Sequence, residues 1–347
     1  MYYTKKSKEA QLHHLISSFI LLFVLIISSS IVTNTHIVYG QTNQTIAENE
    51  DLMNIQDIPL KKVRVGDIDV AYKMFGKGDP IILFNGASDN MDAWDPSFLK
   101  GLSSNHTVIA FDQRGIANTT IGSKPYTYQQ IADDAAGLLD ALKIPKADVM
   151  GYSLGSYLAQ QLTMMYPDKV NRLILVASSC GGKDHTPKPP EFLELQSEIV
   201  NNSLNNVSIS QEEMKSLVSA SLGSGWIRLH PESLDIPENI TLQQAKPGLT
   251  PEILNNQNNI GKHWEDNPTW SGACVELAKL DKPTLVIAGT DDNFYQPHVN
   301  SLKIVEKIPG AWLVQIKDAG HAAPDQYPEE MGKIMNTFLS TTSTPPS

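Results

Sequence analysis

The chain has 347 residues, of which 41% are hydrophobic and 19% are charged. This length suits one large α/β domain, or one such domain with an insertion. The formal net charge of −11 argues against nucleic acid as a partner, because phosphate binding needs clustered Lys and Arg.

The first forty residues have the pattern of an export signal. Three lysines within the first eight residues precede an apolar run over residues 15–32, and Val38 and Gly40 fit a signal-peptidase site before Gln41. An uncleaved membrane anchor through residues 15–32 is the alternative, since this run is almost long enough to span a bilayer. Both alternatives predict an extracytoplasmic protein, either secreted or anchored to the outer face of the cell membrane.

Alternating strands and helices follow a polar, acidic stretch at residues 41–59, which is typical of a flexible linker. Residues 62–65 and 68–72 alternate apolar and polar positions, which predicts a β-hairpin. Further apolar runs and helical spacings predict strands over 80–84, 107–111, 148–152 and 172–177, and helices over 92–102 and 128–142. This alternation predicts a parallel sheet that is covered by helices on both faces.

The alternation stops at about residue 181 and returns at about residue 271. The segment 181–270 is polar and rich in Asn, Ser and Pro, with helices predicted over 191–201 and 211–222. Insertions after a strand's carboxyl end lie over the edge where ligands bind, so we predict a lid here. It separates two parts of the core, predicted at 60–180 and at 271–340. The second part contains strands at 283–288 and 312–316 and helices at 299–308 and 328–339, and residues 341–347 are predicted to be a disordered tail.

Cys180 and Cys274, the only cysteines, flank this predicted lid. In an oxidising compartment the two can form a disulfide that pins the base of the lid, and two buried free thiols are the alternative. Two isolated cysteines without a C-x-x-C spacing do not indicate a metal site.

Gly151, Ser153 and Gly155 form a G-x-S-x-G pattern between a predicted buried strand and an amphipathic helix. The turn is too tight for a Cβ on either side of the serine, which explains the glycines. The amides of the following helix turn favour a negative group above the serine. Three fixed positions alone also fit a Gly-rich turn with an incidental serine, so the rest of the chain is needed to decide whether Ser153 is a nucleophile.

A serine nucleophile needs a base and a group that orients the base, and the chain supplies both after the serine. Asp291 and Asp292 follow the strand predicted at 283–288, and His321 follows the strand at 312–316. The order serine, acid, histidine at three strand ends is the order that accompanies this serine turn. We predict Ser153 as the nucleophile and His321 as the base.

These motifs resemble the α/β-hydrolase superfamily over residues 63–339. The resemblance is carried by residues 84–86, 112–115, 151–155, 289–292 and 319–321. Residues 133–179 are similar to esterases, cofactor-free haloperoxidases and enol-lactonases, and the Asp-Gln-Arg-Gly turn at 112–115 is also seen in proline iminopeptidases. The sequence differs from the superfamily's usual motifs at two places. Asn85 stands where the superfamily usually has His, and residues 117–119 stand where it commonly has Gly and Ser.

The resemblance implies a mostly parallel eight-stranded sheet with helices on both faces. It also implies an oxyanion hole formed by the backbone N–H groups of Ala87 and Leu154. The superfamily's Gly-x-x-Asp spacing selects Asp292 over Asp291 as the acid. No cofactor and no metal are implied.

The predicted function is an exported serine hydrolase that cleaves a small-molecule carboxylic ester or lactone through an acyl-enzyme. A proline iminopeptidase-like aminopeptidase is the alternative, because Glu191, Glu194, Glu198, Glu212 and Glu213 in the lid could hold a substrate amine. A non-catalytic binding module on the same fold is the alternative from another class.

Overall fold

A computed structural model describes residues 54–205, 207–236, 248–294 and 297–341. The predicted leader or anchor at residues 1–40 lies outside the described residues, as do 41–53 of the predicted linker and 342–347 of the predicted tail. The last linker residues pack on the core, where Ile55 is buried and its carbonyl accepts a hydrogen bond from Lys73 Nζ at 2.9 Å. No helix within the described residues is long and apolar enough to cross a membrane.

Eight strands form one sheet in the described chain, in the order β1-β2-β4-β3-β5-β6-β7-β8. Strands β1, β2 and β4 pair antiparallel, and every other neighbouring pair is parallel. The predicted mostly parallel sheet is therefore confirmed. The strands are β1 (Lys61–Val65), β2 (Ile68–Gly76), β3 (Asp79–Phe84), β4 (His106–Phe111), β5 (Ala147–Tyr152), β6 (Val170–Val176), β7 (Thr284–Gly289) and β8 (Trp312–Ile316).

Helices of the core pack on this sheet and on one another. In the described chain they are α1 (Pro96–Ser103), α2 (Tyr128–Ala141), α3 (Leu154–Met165), α9 (Pro297–Lys307), α10 (Ala323–Gln326) and α11 (Pro328–Leu339). Helix α1 packs against α11, and α2 against α3. The strands in the middle of the sheet are mostly apolar because both of their faces are largely buried.

The segment between β6 and β7, here called the insertion, contains residues 181–270, for which the sequence predicts a lid. Its described helices are α4 (Pro190–Leu204), α5 (Gln211–Leu222), α6 (Ser224–Leu229), α7 (Pro251–Glu265) and α8 (Ala273–Leu277). Helices α4 and α5 match predicted helices, whereas α7 was not predicted. Its Asn-rich sequence is held in place by buried Ile253, Leu254 and Trp264, and Thr250 caps its first turn.

A disulfide joins Cys180 and Cys274, with their Cα atoms 5.2 Å apart, so the two cysteines are not free thiols. The backbone N–H of Ala273 also donates to the Cys180 carbonyl at 2.8 Å. These two links bring the ends of the insertion together beside the carboxyl end of β6.

A buried ion pair fixes the turn after β4. The Arg114 guanidinium donates to both carboxylate oxygens of Asp134, at 2.6 and 2.8 Å, and to Asp67 at 3.3 Å. Because Arg114 is 1% exposed, this fork-shaped contact compensates a charge that has left water.

Asp148 at the start of β5 is a buried carboxyl group with an altered acidity. One oxygen accepts from Arg172 at 3.3 Å, and the other has no hydrogen-bond partner within the described residues. Burial raises the pKa of Asp148 to about 6, although Arg172 opposes the shift. The folded protein therefore holds this proton more tightly than the unfolded chain does.

We predict that Asp148 makes the native protein lose stability as the pH rises from about 4 to 6. The stability from the neutral carboxyl is complete below its unfolded pKa and is lost as the pH passes the folded pKa. The Asp148→Asn variant removes this titration and should exceed the native protein at pH 7 by about 1–3 kcal/mol in free energy of unfolding. Urea denaturation at a series of pH values measures this, and a parallel decline in both proteins would contradict it.

Candidate active site

Ser153 lies at the sharp corner between β5 and α3, with φ 53° and ψ −124°. Backbone atoms lie close to the glycines on both sides of the serine. A Cβ on Gly151 would lie 2.2 Å from the Gly155 carbonyl oxygen, and a Cβ on Gly155 would lie 2.3 Å from the Phe84 carbonyl oxygen. No other residue fits at these two positions without moving the backbone, which explains why both glycines flank the serine.

The structure places His321 between Ser153 and Asp292. His321 Nε2 lies 2.8 Å from Ser153 Oγ, and His321 Nδ1 lies 2.9 Å from Asp292 Oδ2. The side chains of His321 and Asp292 are completely buried. This geometry lets the imidazole accept a proton from the serine while the carboxylate orients the ring.

The adjacent residues Asp291 and Asp292 have different hydrogen-bond partners. Asp292 faces His321, and its second oxygen accepts from the backbone N–H of Phe294 at 2.9 Å. Asp291 instead accepts from the backbone N–H of Gly225, also at 2.9 Å, at the start of α6 in the insertion. The carboxylate of Asp291 therefore ties the insertion to the sheet.

Packing fixes the ring of His321. Phe294 stacks on the imidazole with ring centroids 4.6 Å apart, and Tyr152 lies at 5.5 Å. The preceding Gly320 donates its backbone N–H to Gln326 Oε1 at 2.8 Å, and a Cβ on Gly320 would lie 2.2 Å from the Ser221 carbonyl oxygen. The loop that carries the histidine is therefore wedged between α10 and the end of α5.

Ala87 and Leu154, the predicted oxyanion residues, line one cavity together with Ser153. Leu154 is the first residue of α3, where backbone N–H groups lack partners inside the helix. Ala87 lies in the loop after β3. Its neighbour Ser88, at φ 69°, donates its backbone N–H to Gln257 Oε1 at 2.8 Å.

Asn85 fills the structural place where the superfamily usually has histidine. Its side chain donates to the Asn90 carbonyl at 2.9 Å, and its own carbonyl accepts from Gln113 at 3.0 Å. At residues 117–119, where the sequence also departs from the superfamily, the backbone N–H of Asn118 donates to the Asp112 carboxylate. This carboxylate also accepts from the backbone N–H of Met91. Both departures therefore keep the loops near the serine hydrogen-bonded.

Several polar residues of this cavity were not found from the sequence, among them Lys188, Gln257 and Glu265. All three belong to the insertion, whose irregular sequence gave no pattern that separates a buried polar residue from a solvated one. The lid glutamates named for amine binding are absent from the described cavity wall. The described residues also contain no cluster of three or more His, Cys, Asp or Glu side chains that could hold a metal ion.

A sequence model of the alpha/beta hydrolase fold family matches residues 79–326. The chain belongs to this family. The match runs from β3 to α10, so it includes the serine corner, Asp292 and His321.

Relatives in this family are similar over most of their length. A poly(3-hydroxyalkanoate) depolymerase of Ectopseudomonas oleovorans is 27% identical over 261 residues, which cover 75% of this chain and 84% of the relative. The proline iminopeptidase PfmaB of Pestalotiopsis fici is 27% identical over 278 residues, covering 75% and 92%. A thermophilic esterase from Thermogutta terrifontis shares the fold with a TM-score of 0.65 and 24% identity, covering 80% and 98%. The family and these relatives support a hydrolase.

Proposed function

We propose that the protein is a serine hydrolase that cleaves a small-molecule carboxylic ester or lactone. The observation that carries this proposal is the hydrogen-bonded series from Ser153 through His321 to Asp292, buried at the wall of one cavity. A hydroxyl becomes a nucleophile when an adjacent base takes its proton, and this series supplies that base.

The proposed reaction proceeds in two halves. Ser153 Oγ attacks the acyl carbon while His321 takes the serine proton, and the protonated imidazole then gives it to the leaving alcohol. Water attacks the resulting acyl-enzyme, again with His321 as base, and the acid leaves as Ser153 is regenerated. Asp292 orients the imidazole and stabilises its cationic form.

The backbone N–H groups of Ala87 and Leu154 are proposed to bind the negative oxygen of each tetrahedral intermediate. Such donors act because they are held in place before charge develops. Helix α7 contributes to the proposed oxyanion hole through Gln257, because the hydrogen bond from the Ser88 N–H to Gln257 fixes the loop that carries Ala87. We therefore assign Gln257 as a positioning residue for the oxyanion hole.

The iminopeptidase alternative is less well supported by the cavity. A site for a substrate amine needs a carboxylate whose charge the amine balances. The carboxylate deepest in the cavity wall is Glu265, and Lys188 already balances it at 3.0 Å. Release of proline from a proline arylamide, without release of acetate from an aryl acetate, would favour the iminopeptidase instead.

The place of action is proposed to be outside the cytoplasm. The leader pattern at residues 1–40 motivates this, and the disulfide between Cys180 and Cys274 supports it, because such bonds persist in oxidising compartments. A binding module is disfavoured, since a module without activity has no need of a buried serine, histidine and aspartate in hydrogen-bonded series.

We predict that a short-chain aryl ester is hydrolysed and that Ser153→Ala lowers kcat by at least roughly 10³-fold. Asp292→Asn should lower kcat by about 10⁴-fold because the imidazole loses the partner that sets its tautomer. Asp291→Asn is the matched control and should stay within several-fold of the native rate. Release of the aryl alcohol measures all three, and an inactive Asp291→Asn beside an active Asp292→Asn would reverse the assignment.

Gln257→Met should lower kcat by roughly 10- to 100-fold with little change in KM. The methionine keeps the buried volume but cannot accept the Ser88 N–H, so the oxyanion loop loses its fixed position, at a cost below that of deleting a donor outright. Asn259→Ala, on an exposed part of the same helix, is the control and should keep the native kcat. A rise in KM at unchanged kcat would instead make Gln257 a substrate-binding residue.

A further inference from the structure

The cavity beside Ser153 has a volume of about 60 Å³, and its mostly apolar wall contains a few polar side chains. Leu193, Leu254 and Phe294 contribute apolar surface, but Lys188 and Glu265 lie in the same wall. In ligand pockets a few polar groups placed in a mostly apolar wall set the specificity, so Lys188 and Glu265 suit a substrate that carries a polar group.

Lys188 and Glu265 form a buried ion pair. Lys188 Nζ lies 3.0 Å from Glu265 Oε2, and the side chains are only 9% and 6% exposed. The Tyr157 hydroxyl donates to the other carboxylate oxygen at 3.1 Å. Burial lowers the pKa of nearby His185, although Glu265 opposes the shift, so this histidine adds no charge at neutral pH. The charges of Lys188 and Glu265 therefore balance each other.

A balanced pair in a cavity wall is expensive if it serves stability alone. Removing two charges from water costs free energy that their attraction often does not recover, and apolar side chains of similar volume often stabilise a fold better. An ammonium can donate three hydrogen bonds and a carboxylate can accept about four, so each of these groups can bind more than one partner at a time. A donor and an acceptor thus lie side by side in the wall.

We propose that the acyl chain of the substrate carries a hydroxyl group that binds between Lys188 and Glu265. The hydroxyl oxygen accepts from Lys188 Nζ, and its proton is donated to the Glu265 carboxylate. This inference rests on the proposed ester hydrolysis and names its substrate class as hydroxyacyl esters.

The balance of the pair selects a hydroxyl over a charged group. A substrate carboxylate at Lys188 would place a second negative charge next to Glu265, and a substrate amine would place a second positive charge next to Lys188. Because Lys188 and Glu265 are nearly buried, water screens a like charge beside either of them only weakly, and the repulsion is strong. A neutral hydroxyl uses both partners and leaves the charges balanced.

The test compares kcat/KM for 4-nitrophenyl esters that differ only in the acyl chain: butanoate, 3-hydroxybutanoate, hexanoate, 6-hydroxyhexanoate, succinate and 4-aminobutanoate. Two chain lengths are included because they place the hydroxyl at two different distances from the acyl carbon. We expect one hydroxy ester to exceed its unsubstituted counterpart by roughly 10- to 100-fold, as for a hydrogen bond to a charged group. The succinate and 4-aminobutanoate esters should be the poorest substrates.

Lys188→Met combined with Glu265→Gln removes both charges at similar volume, and leaves no unpaired charge that could prevent folding. We expect this double variant to lose the hydroxy preference, with a ratio near one. Lys279→Met combined with Glu276→Gln, an exposed ion pair of the same residue types outside the cavity wall, is the matched control and should keep the native ratio.

A native enzyme that prefers both unsubstituted esters would overturn the hydroxyl proposal and leave the serine hydrolase standing. A preference that survives in the Lys188 and Glu265 double variant would likewise overturn it. Failure of all six esters, without labelling of Ser153 by a fluorophosphonate, would overturn it together with the proposed function.

Discussion

The close approach of four backbone segments at the carboxyl edge of the sheet is the constraint on which the site depends. Gly155 lies against the carbonyls of Phe84 and Asn85, where β3 runs into the loop of Ala87. Gly289 lies in the same way against Ala319 and Gly320, next to His321. A Cβ at either glycine would meet backbone atoms and force these segments apart. With glycine at both positions, the segments lie close enough for side chains from four loops to come within hydrogen-bond distance of one another.

The insertion is part of this arrangement and is anchored to it at several points. The disulfide between Cys180 and Cys274 closes its ends, and Asp291 binds the first turn of α6. Helix α7 then reaches the site with one face, which carries Gln257 toward the loop of Ala87 and Glu265 toward the cavity wall. In the proposed mechanism the sheet supplies the reacting groups, while the insertion shapes the space in which a substrate lies.

The core could be predicted from the sequence because its signals are local. Apolar runs of strand length, helical spacing and Gly-x-Ser-x-Gly each depend on a few adjacent residues, and the structure has the sheet where those runs occur. Asp292 could be chosen over Asp291 only through the superfamily spacing, since two adjacent carboxylates at one strand end have the same local pattern. The structure separates them by their partners, His321 for one and α6 for the other.

The rest of the site could not be predicted because its partners are distant in sequence. Helix α7 has an Asn-rich sequence of low intrinsic helix propensity and forms because Ile253, Leu254 and Trp264 are buried against the core. The contacts of Gln257 with Ser88, and of Lys188 with Glu265, join residues that no spacing rule connects. Such pairs become visible only when the chain is folded.

The central claim is that Ser153 is a nucleophile activated by His321. The most direct measurement is mass spectrometry of the protein after reaction with a fluorophosphonate, which bonds covalently to an activated serine. The claim predicts one phosphonate on the peptide that contains Ser153, and its absence in the His321→Ala variant, which keeps the serine but removes its base. An unlabelled Ser153 in the folded native protein, or equal labelling in both proteins, would contradict it.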